Sequence, residues 1–295
     1  MRIMVFYNQS SGSDQALKIA EKFAHYTKEH HPQQKVFLQE ISKDIKPADY
    51  PKKAESKEID TLVFIGGDGT IRHMVQDFSS TIDKYNIGII PGGTVNNFAR
   101  SLELPVNAEA AFPIIFEGHQ RLCDYGVVNQ DVMVSSMTVG ILADTAASIS
   151  QKDKQKYGKL IFVRNFIKMV LKKKRYHFDI ETDQKSWQES CQLLAVTMTN
   201  SIGGFTHFDS TARVDDGLFH VTILPRLHIW RYLFYLPKIL SGRIYQLPDV
   251  QYFHTSTLKL SGMKKAQARI DGDPADYLPL TMKVETKKLQ IFVPE

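Results

Sequence analysis

Three loops of this 295-residue chain combine glycines with small polar side chains. Each loop follows an apolar run and precedes a helix-like pattern, and the loops cover residues 8–13, 66–70 and 92–97. Backbone N–H groups in such loops, together with the N termini of the helices that follow, bind anions such as phosphate. Glycine lets the backbone come close to a phosphate, and serine, threonine and asparagine side chains add neutral donors. The residue types and their placement therefore predict a phosphate-binding site built from several loops.

The loop Gly66–Thr70, which reads GGDGT, is the most specific of the three. Taken alone, each loop is also explained by a tight turn between a strand and a helix. Three glycines around one carboxylate are costly for a mere turn, because glycine loses more conformational entropy on folding than other residues. Asp68 also places a negative charge among groups suited to anions. That charge fits a cation, or a group carrying a proton, between the carboxylate and a phosphate.

Other motifs that carry chemistry are missing from the sequence. There is no G-x-x-x-x-G-K-[ST] Walker loop, no G-x-G-x-x-G after the first apolar run, no G-x-S-x-G and no H-E-x-x-H. These absences argue against Walker-type, ordinary dinucleotide-binding, serine hydrolase and zincin sites. Cys123 and Cys191 are too few for a disulfide scaffold or a cysteine zinc site, so we expect two buried reduced thiols.

The elements that must position the loops alternate between strand and helix over the first 125 residues. Apolar runs at 3–7, 36–38, 61–65 and 87–90 read as strands, whereas the charged, proline-punctuated residues 43–60 read as a solvated connection. This alternation predicts a three-layer α/β domain with a parallel sheet. Ligands bind at the carboxyl ends of the strands in such sheets, so we expect the three loops on one edge.

Strand patterns dominate from residue 126 onward. Short apolar segments separated by turn signals, one of them at 132–139, predict an all-β, sandwich-like second domain at 126–285. Two helical stretches interrupt it, the second at 226–240. The last strand, 286–295, either stays with this domain or completes the first domain at 1–125, and the sequence leaves that open.

Composition and charge fit a globular protein with an anionic partner. Hydrophobic residues make up 43% of the chain and the formal net charge is +5, which excludes a disordered chain. Residues 152–175 hold ten basic side chains against one acidic, with a helix predicted at 157–174, and residues 226–245 mix four cations with aromatic side chains. Such stretches are typical of contact with an anionic membrane surface, although a solvated basic face or a nucleic acid would also explain the charge.

The sequence bears on location as well. No nucleic-acid-binding motif accompanies the basic stretches, so we expect no nucleic acid partner. No apolar run approaches the length of about 18 residues that a membrane-spanning helix requires. We therefore expect a cytoplasmic protein, peripheral at the inner membrane face.

Gly66–Thr70, taken with the segment Pro91–Arg100 that reads PGGTVNNFAR, resembles the diacylglycerol kinase catalytic-domain family. This family includes soluble bacterial lipid kinases and the sphingosine and ceramide kinases. The likeness extends along most of the chain. Four further segments are similar to family motifs: Asn8–Gly12 (N-P-x-S-G), Arg121–Gly126 (R-x-x-D-hydrophobic-G), Asp215–Phe219 (D-D-G-L-hydrophobic) and Asp271–Asp273 (D-G-E).

The resemblance implies ATP- and Mg²⁺-dependent phosphorylation of a lipid hydroxyl, with ATP in a cleft between the two domains. The residues that would hold ATP lie in the three loops and the turn after the second loop: Asn8, Gln9, Ser10, Ser11, Gly12, Gly66, Gly67, Asp68, Gly69, Thr70, Ile71, Arg72, Thr94 and Asn96. Asp68 would help to place the phosphates and Mg²⁺, and Asp273 falls at the family's proton acceptor. A structural Mg²⁺ would use the carboxylate of Asp216 and the backbone carbonyls of Arg213 and Leu218.

The remaining expectations concern the role of Asp124 and the binding partners of the protein. Asp124 stands at the predicted domain junction, where it could link metal and substrate, and a structural hydrogen-bond acceptor is the other interpretation. The expected partners are a lipid substrate and, transiently, an anionic membrane surface. A homodimer is left open.

The chain also departs from the family's pattern at several positions. Arg72 and His73 stand where the family usually has Asn and Glu, Asn97 replaces an Asp, and Asp273 replaces a Glu that is one methylene longer. Residues 39–41 lack the threonine that the family uses to contact the nucleotide. Because small misplacements of catalytic groups lower rates strongly, these changes favour weaker or redirected catalysis. The alternatives are a kinase for NAD or a sphingoid base, or a nucleotide-binding regulatory protein at the membrane that has lost turnover.

Overall fold

The computed structural model describes residues 1–8, 15–140, 175–202, 208–262 and 266–295. The α-helices in these ranges are α1 (Gln15–His30), α2 (Asp49–Ser56), α3 (Asp68–Asp77), α4 (Asn97–Ser101), α5 (Ile114–Glu117) and α6 (Ile229–Leu240). Short 3₁₀ helices cover Ile82–Lys84, Glu109–Ala111 and Ile244–Gln246. The strands are β1 (Arg2–Tyr7), β2 (Lys35–Glu40), β3 (Thr61–Gly66), β4 (Asn86–Pro91), β5 (His119–Val128), β6 (Asp131–Met133), β7 (Ser136–Gly140), β8 (Tyr176–Thr182), β9 (Ser186–Cys191), β10 (Leu193–Thr197), β11 (Phe219–Leu224), β12 (Gln251–Thr255), β13 (Thr257–Gly262), β14 (Gln267–Ile270), β15 (Asp273–Tyr277) and β16 (Leu280–Val293).

Several predictions fall on residues outside the described ranges. They concern Gln9, Ser10, Ser11 and Gly12 of the first loop, the helix at 157–174, and all of the basic stretch 152–175 except Arg175.

The chain divides into two compact units. The first unit contains Met1–Tyr125, Val214–Gly217 and Glu285–Glu295, and the second contains Gly126–Arg213 and Leu218–Val284. The first unit therefore includes not only the last strand segment but also a short turn at 214–217, which sequence order places within the second half of the chain.

The first unit has a parallel sheet at its centre, as predicted. Its strands lie in the order β2-β1-β3-β4, all parallel, and the end of β16 pairs in parallel with β4. Tyr7 lies opposite Ile65, and Gly66 lies opposite Pro91, so β1, β3 and β4 end at the same level. The residues that follow these strands, where all three glycine-rich loops begin, consequently share one edge of the sheet.

Helices cover both faces of this sheet, which is why its inner strands β1, β3 and β4 are continuous apolar runs. On one face, Val5 packs in a buried cluster with Phe23 of α1 and with Ile115 of α5. On the other face, the ring of Phe6 lies 5.6 Å from the ring centres of both Tyr50 and Phe78. The arrangement is the three-layer α/β architecture that the sequence predicted.

The predicted solvated connection at 43–60 is wrong in its centre, where α2 forms. Tyr50 is 2% exposed and Ala54 is fully buried. The Tyr50 hydroxyl accepts a hydrogen bond from the Ser42 backbone N–H at 3.0 Å. Pro51 lies in the first turn of α2, where the missing N–H has no helical partner to lose. Burial of two side chains against the sheet thus outweighs the polar composition of the segment.

The second unit is a β-sandwich, also as predicted. One sheet is antiparallel in the order β12-β11-β10-β7-β14-β15, and the other contains β9, β8, β13 and the first half of β16. Side chains from the two sheets fill one core, among them Val139, Val196 and Val221 from the first sheet and Phe178 and Leu258 from the second.

Two predicted elements of the second unit can be compared directly. The helical stretch at 226–240 is confirmed as α6, which begins at Ile229. The single strand predicted at 132–139 is two strands, β6 and β7, separated at Val134 and Ser135. No helix in the described part of the chain is both long and apolar enough to cross a membrane.

Both cysteines are free and buried, as expected from the sequence. Cys123 lies in β5 and Cys191 ends β9. Burial raises the pKa of each thiol to about 12. Both groups therefore stay neutral near pH 7 and are poor nucleophiles.

The last residue of α3, Asp77, gives a pH-dependent prediction. Burial raises the pKa of this half-buried carboxyl to about 6. A raised pKa means that the folded state loses stability as pH rises from about 4 to 6, because the charged carboxylate is less well solvated in the folded protein than in the unfolded chain. We expect Asp77→Asn to raise the free energy of unfolding by about 1 kcal/mol at pH 8, with partial exposure limiting the gain, and to keep only a small part of that gain at pH 4. Urea unfolding at the two pH values measures this, and an equal gain at both would contradict it.

Candidate active site

The second and third glycine loops touch backbone to backbone. A Cβ built on Gly93 would lie 2.5 Å from the Cα of Gly67 and 2.6 Å from the Asn96 Oδ1. The Gly92 N–H also donates to the Gly66 carbonyl at 3.0 Å. Only glycine permits this approach at position 93, because any side chain would overlap the neighbouring loop. The structure therefore brings together two of the three loops that the sequence singled out.

Asn96 fixes the shape of the third loop. Its backbone adopts a left-handed conformation, with φ at 55°, and its side chain is 4% exposed. The side-chain Oδ1 accepts from the Gly93 N–H at 3.0 Å, and the Nδ2 donates to the Gly93 carbonyl at 2.9 Å. Asparagine tolerates this backbone conformation better than most residues. The amide thus closes a reciprocal pair of hydrogen bonds around the turn.

Asp68, the first residue of α3, ties the two loops together. Its carboxylate is buried and accepts two backbone hydrogen bonds from the start of α4: the Asn97 N–H at Oδ2 and the Phe98 N–H at Oδ1, each at 2.9 Å. Burial raises the pKa of this carboxyl, and the two backbone donors and the charge of Arg100 oppose the rise. The predicted role of Asp68 toward phosphate and Mg²⁺ stays a prediction, and sequence reasoning missed its role as a tether.

The other residues expected to hold ATP take different positions. Thr94 is exposed, whereas Thr70 is half-buried in the first turn of α3. Ile71 is 1% exposed and its N–H donates to the Gly67 carbonyl, so its side chain belongs to the core and its amide to the helix. Arg72 is also buried, and its Nη2 lies 3.0 Å from the Nε2 of the exposed His73. Polar groups available to an anion are thus concentrated in the loops.

The first loop begins on the same edge of the sheet. Asn8 directly follows β1, which lies beside β3. The rest of that loop, Gln9–Gly12, lies outside the described residues.

Asp124 is a buried connector within the first unit. Its Oδ2 accepts the Gly217 N–H at 2.7 Å, its Oδ1 accepts the Lys287 N–H at 2.6 Å, and its own N–H donates to the Val214 carbonyl at 2.7 Å. Burial raises the pKa of the Asp124 carboxyl, the two amide donors lower it, and the charges of Asp216 and Asp215 raise it further. These contacts agree with the structural interpretation that the sequence left open, because they fix the turn at 214–217.

That turn contains Asp216, whose carboxylate is expected to hold a structural Mg²⁺, and its neighbour Asp215. Asp215 is engaged by Arg121, whose Nε and Nη2 lie 2.9 and 2.8 Å from its Oδ2. Arg213 and Leu218, the expected carbonyl donors, directly precede and follow the turn in the sequence. Carboxylate and carbonyl oxygens are the ligands that Mg²⁺ prefers, so the chemistry of the donor set fits the ion. Across the described residues, no group of three or more His, Cys, Asp or Glu side chains is arranged to hold a metal.

Asp273, the expected proton acceptor, begins β15 in the second unit and is half-buried. Burial lowers the pKa of the nearby Arg269 guanidinium, and the charge of Asp273 acts in the opposite direction. The turn before it is held by Asp271, which has a positive φ of 50°. The Asp271 carboxylate accepts the backbone N–H groups of Val134, Ser135 and Ser136, at 2.9, 2.8 and 2.9 Å.

These three hydrogen bonds explain why the predicted strand at 132–139 is interrupted. The N–H groups that a continuous strand would offer to its neighbours go to a side chain instead. The sequence contained a signal for the turn, the D-G-D motif, but none for its partner. Three hydrogen bonds thus fix the turn that precedes Asp273.

The contact between the loops gives a direct test with a matched control. We expect Gly93→Ala to lower the free energy of unfolding by about 1–3 kcal/mol, because the methyl group would overlap Gly67. Gly92→Ala is the control, since its Cβ would meet the nearest atoms at 3.4 Å, an ordinary contact. Urea unfolding of both variants measures the difference. Equal stability of the two variants would show that the loops do not approach as described.

Comparisons with known proteins cover most of the chain. Residues 2–128 match the diacylglycerol kinase catalytic domain, and residues 135–293 match the YegS C-terminal NAD kinase beta sandwich-like domain. The diacylglycerol kinase of Bacillus subtilis is 28% identical over 229 residues, covering 77% of this chain and 76% of that protein. The diacylglycerol kinase of Staphylococcus epidermidis is 27% identical over 244 residues, covering 83% of this chain and 77% of that protein.

A solved structure extends the likeness to the fold. The crystal structure of a diacylglycerol kinase from Bacillus anthracis superposes with a TM-score of 0.81 at 18% identity, over 99% of this chain and 96% of that one. Together with the two domain matches, which cover most of the chain in the expected order, this confirms the resemblance found in the sequence. The chain belongs to the family of diacylglycerol kinase-like lipid kinases, with a diacylglycerol kinase catalytic domain followed by a YegS C-terminal NAD kinase beta sandwich-like domain.

Proposed function

We propose that this lipid kinase transfers the γ-phosphoryl group of ATP to a lipid hydroxyl, with diacylglycerol or a related lipid alcohol as the acceptor. The observation that carries the proposal is the contact between the loops Gly66–Thr70 and Gly92–Asn97, which follow the neighbouring strands β3 and β4. Two hydrogen bonds to the Asp68 carboxylate hold these loops together. Phosphoryl transfer depends mainly on positioning and on stabilisation of charge, and rigid loops with many backbone donors supply both. The names of the relatives support the choice of lipid.

ATP would be held by the loops rather than by one side chain. The groups we assign to it are Asn8–Gly12, Gly66–Arg72, Thr94 and Asn96. The Asn96 amide is occupied by Gly93, so it would act by shaping the loop, whereas the exposed Thr94 hydroxyl can reach a ligand directly. Two loops fixed against each other need little reorganisation when an anion binds, and such preorganisation favours affinity.

Mg²⁺ would be held at the turn 214–217 and its flanks. The carboxylate of Asp216 and the carbonyls of Arg213 and Leu218 form the proposed donor set, with Asp124 fixing the turn through Gly217. When bound there, the ion supplies a positive charge that holds the acidic turn together. The hydrogen bonds of Asp124 support this assignment because they position the backbone that carries the donors.

Asp273 is the proposed general base for the lipid hydroxyl. A carboxylate that takes up this proton must be held in place, and the Asp271 contacts fix the turn that presents it. Asp68 would act beside the phosphates while holding α4.

The assay that tests the proposal incubates the full chain and Mg²⁺ with ATP labelled at the γ-phosphate. Mixed micelles carry diacylglycerol, a sphingoid base or another lipid alcohol, and a parallel reaction contains NAD. Label in the lipid phase is the expected result. Label in NAD would show that NAD is the acceptor instead of a lipid. ATP binding without transfer to any acceptor would favour a regulatory protein that has lost turnover.

A further inference from the structure

Helix α6 displays an apolar stripe on its outer surface. Trp230, Leu233 and Phe234 are 76%, 55% and 80% exposed, and Pro237 is exposed as well. These residues are spaced i, i+3, i+4 and i+7, so they share one face of the helix. Exposed patches of several large apolar side chains are uncommon on soluble proteins and indicate a surface that binds a partner.

The opposite side of α6 is anchored to the sandwich. Tyr235 is 7% exposed and packs in a cluster with Leu193, Ile244 and Leu247. Its hydroxyl donates to Asp249, which also pairs with Arg231. The helix is therefore fixed through one face and presents the stripe on another.

Positively charged residues lie close to the stripe in the sequence, and few acidic residues accompany them. The sequence from 218 to 248 contains no Asp or Glu but holds Arg226, Arg231, Lys238 and Arg243. All four side chains are exposed. Asp249 is the first acidic residue after this span, and it pairs with Arg231 and accepts a hydrogen bond from Tyr235.

We infer that Trp230, Leu233 and Phe234 insert into the interfacial layer of an anionic lipid bilayer, with the surrounding cations on its headgroups. Aromatic side chains favour the boundary between headgroups and acyl chains, and each arginine or lysine near the surface is attracted to the negatively charged headgroups. The inference rests on the proposed function in one respect: a lipid acceptor resides in a bilayer, so the enzyme must meet that surface.

The chain offers a built-in reporter for this contact. It has two tryptophans, and Trp187→Phe leaves Trp230 as the only one. We expect its fluorescence to shift to the blue when phosphatidylglycerol-containing vesicles are added, and to be quenched by lipids brominated on the acyl chains. Phosphatidylcholine vesicles should give a smaller effect. A protein that sediments with vesicles while Trp230 is neither shifted nor quenched would overturn the inference, because docking would then use another surface.

Substitutions measure how much the stripe contributes. We expect Trp230→Ser combined with Phe234→Ser to weaken binding to these vesicles by at least about tenfold, since two exposed aromatics lose their burial in the bilayer. Leu233→Ser should also weaken binding. Its matched control is Leu122→Ser in the first unit, which removes a leucine of similar exposure, 48% against 55%. Equal binding by both leucine variants would contradict the inference.

Two further measurements separate this inference from its alternatives. A blue shift that grows with protein concentration in the absence of vesicles would assign the stripe to a second copy of the chain instead. Vesicle binding needs no ATP, so it can succeed even if no acceptor is phosphorylated. If the lipid kinase proposal holds, the double variant should keep its activity on a soluble short-chain diacylglycerol and lose it on vesicles. Loss on both substrates would point to damage to the enzyme rather than to docking.

Discussion

Asp273→Ala is expected to lower kcat for lipid phosphorylation by a factor of about 10²–10⁴, the usual contribution of a general base. The KM for ATP should change little, because the nucleotide groups lie in other loops. Asp271 holds the turn independently of the Asp273 side chain, so the fold should survive the substitution. Steady-state kinetics with labelled ATP measures both constants.

Asp276→Ala is the matched control for this prediction. Asp276 lies in the same strand, β15, is exposed, and accepts a hydrogen bond from Asn129 at 3.0 Å. We expect it to leave kcat nearly unchanged. Full activity in Asp273→Ala would remove that residue from the mechanism. Asp273→Glu tests whether the carboxylate is close enough to the lipid hydroxyl, because glutamate is one methylene longer. A faster enzyme would mean that the native aspartate is held slightly too far from the hydroxyl.

Asp68→Ala is expected to lower the free energy of unfolding by about 2–5 kcal/mol and to abolish transfer. The substitution leaves the backbone N–H groups of Asn97 and Phe98 without their acceptor, and each lost bond to a charged group costs about 1.5–3 kcal/mol. Removal of a buried charge, whose pKa burial raises, offsets part of this loss. The same change frees α4 from α3, so ATP affinity should fall as well. Urea unfolding and equilibrium dialysis with ATP measure the two effects separately.

Two comparisons make this prediction specific. Asp68→Asn retains one acceptor oxygen, so its stability should lie between those of the wild type and the alanine variant. Asp77→Asn, at the other end of the same helix, is expected to have the opposite sign above pH 6. If Asp68→Ala loses activity while keeping wild-type stability, the carboxylate acts on the ligand alone and the tether is dispensable.

Much of the first unit could be predicted because β1, β3 and β4 are buried on both faces. Such strands read as continuous apolar runs, and glycine-rich loops at their ends mark one edge of a parallel sheet. The α2 helix escaped this reasoning. Its sequence is polar and contains Pro51, and the helix is stabilised by the packing of Tyr50 against Phe6 and by the burial of Ala54. A contact between residues 44 positions apart leaves no trace in local composition.

The parts of the site that could not be predicted all depend on long-range partners. Asp68 was assigned to phosphate from its loop, but its backbone partners lie about thirty residues away in α4. Asp271 interrupts a strand more than 130 residues before it. In the same way, Asp124 fixes a turn at 214–217 that belongs to the first unit. Residue types indicated the chemistry in each case, whereas the hydrogen-bond partners required the fold.

The two buried thiols have a practical consequence. With pKa values of about 12 and no exposure to solvent, Cys123 and Cys191 should resist maleimide labelling in the folded protein. A single exposed cysteine can therefore be added without removing the native ones. His228→Cys, just before α6, would carry a spin label whose accessibility to oxygen and to a water-soluble nickel complex reports its depth relative to the lipid headgroups.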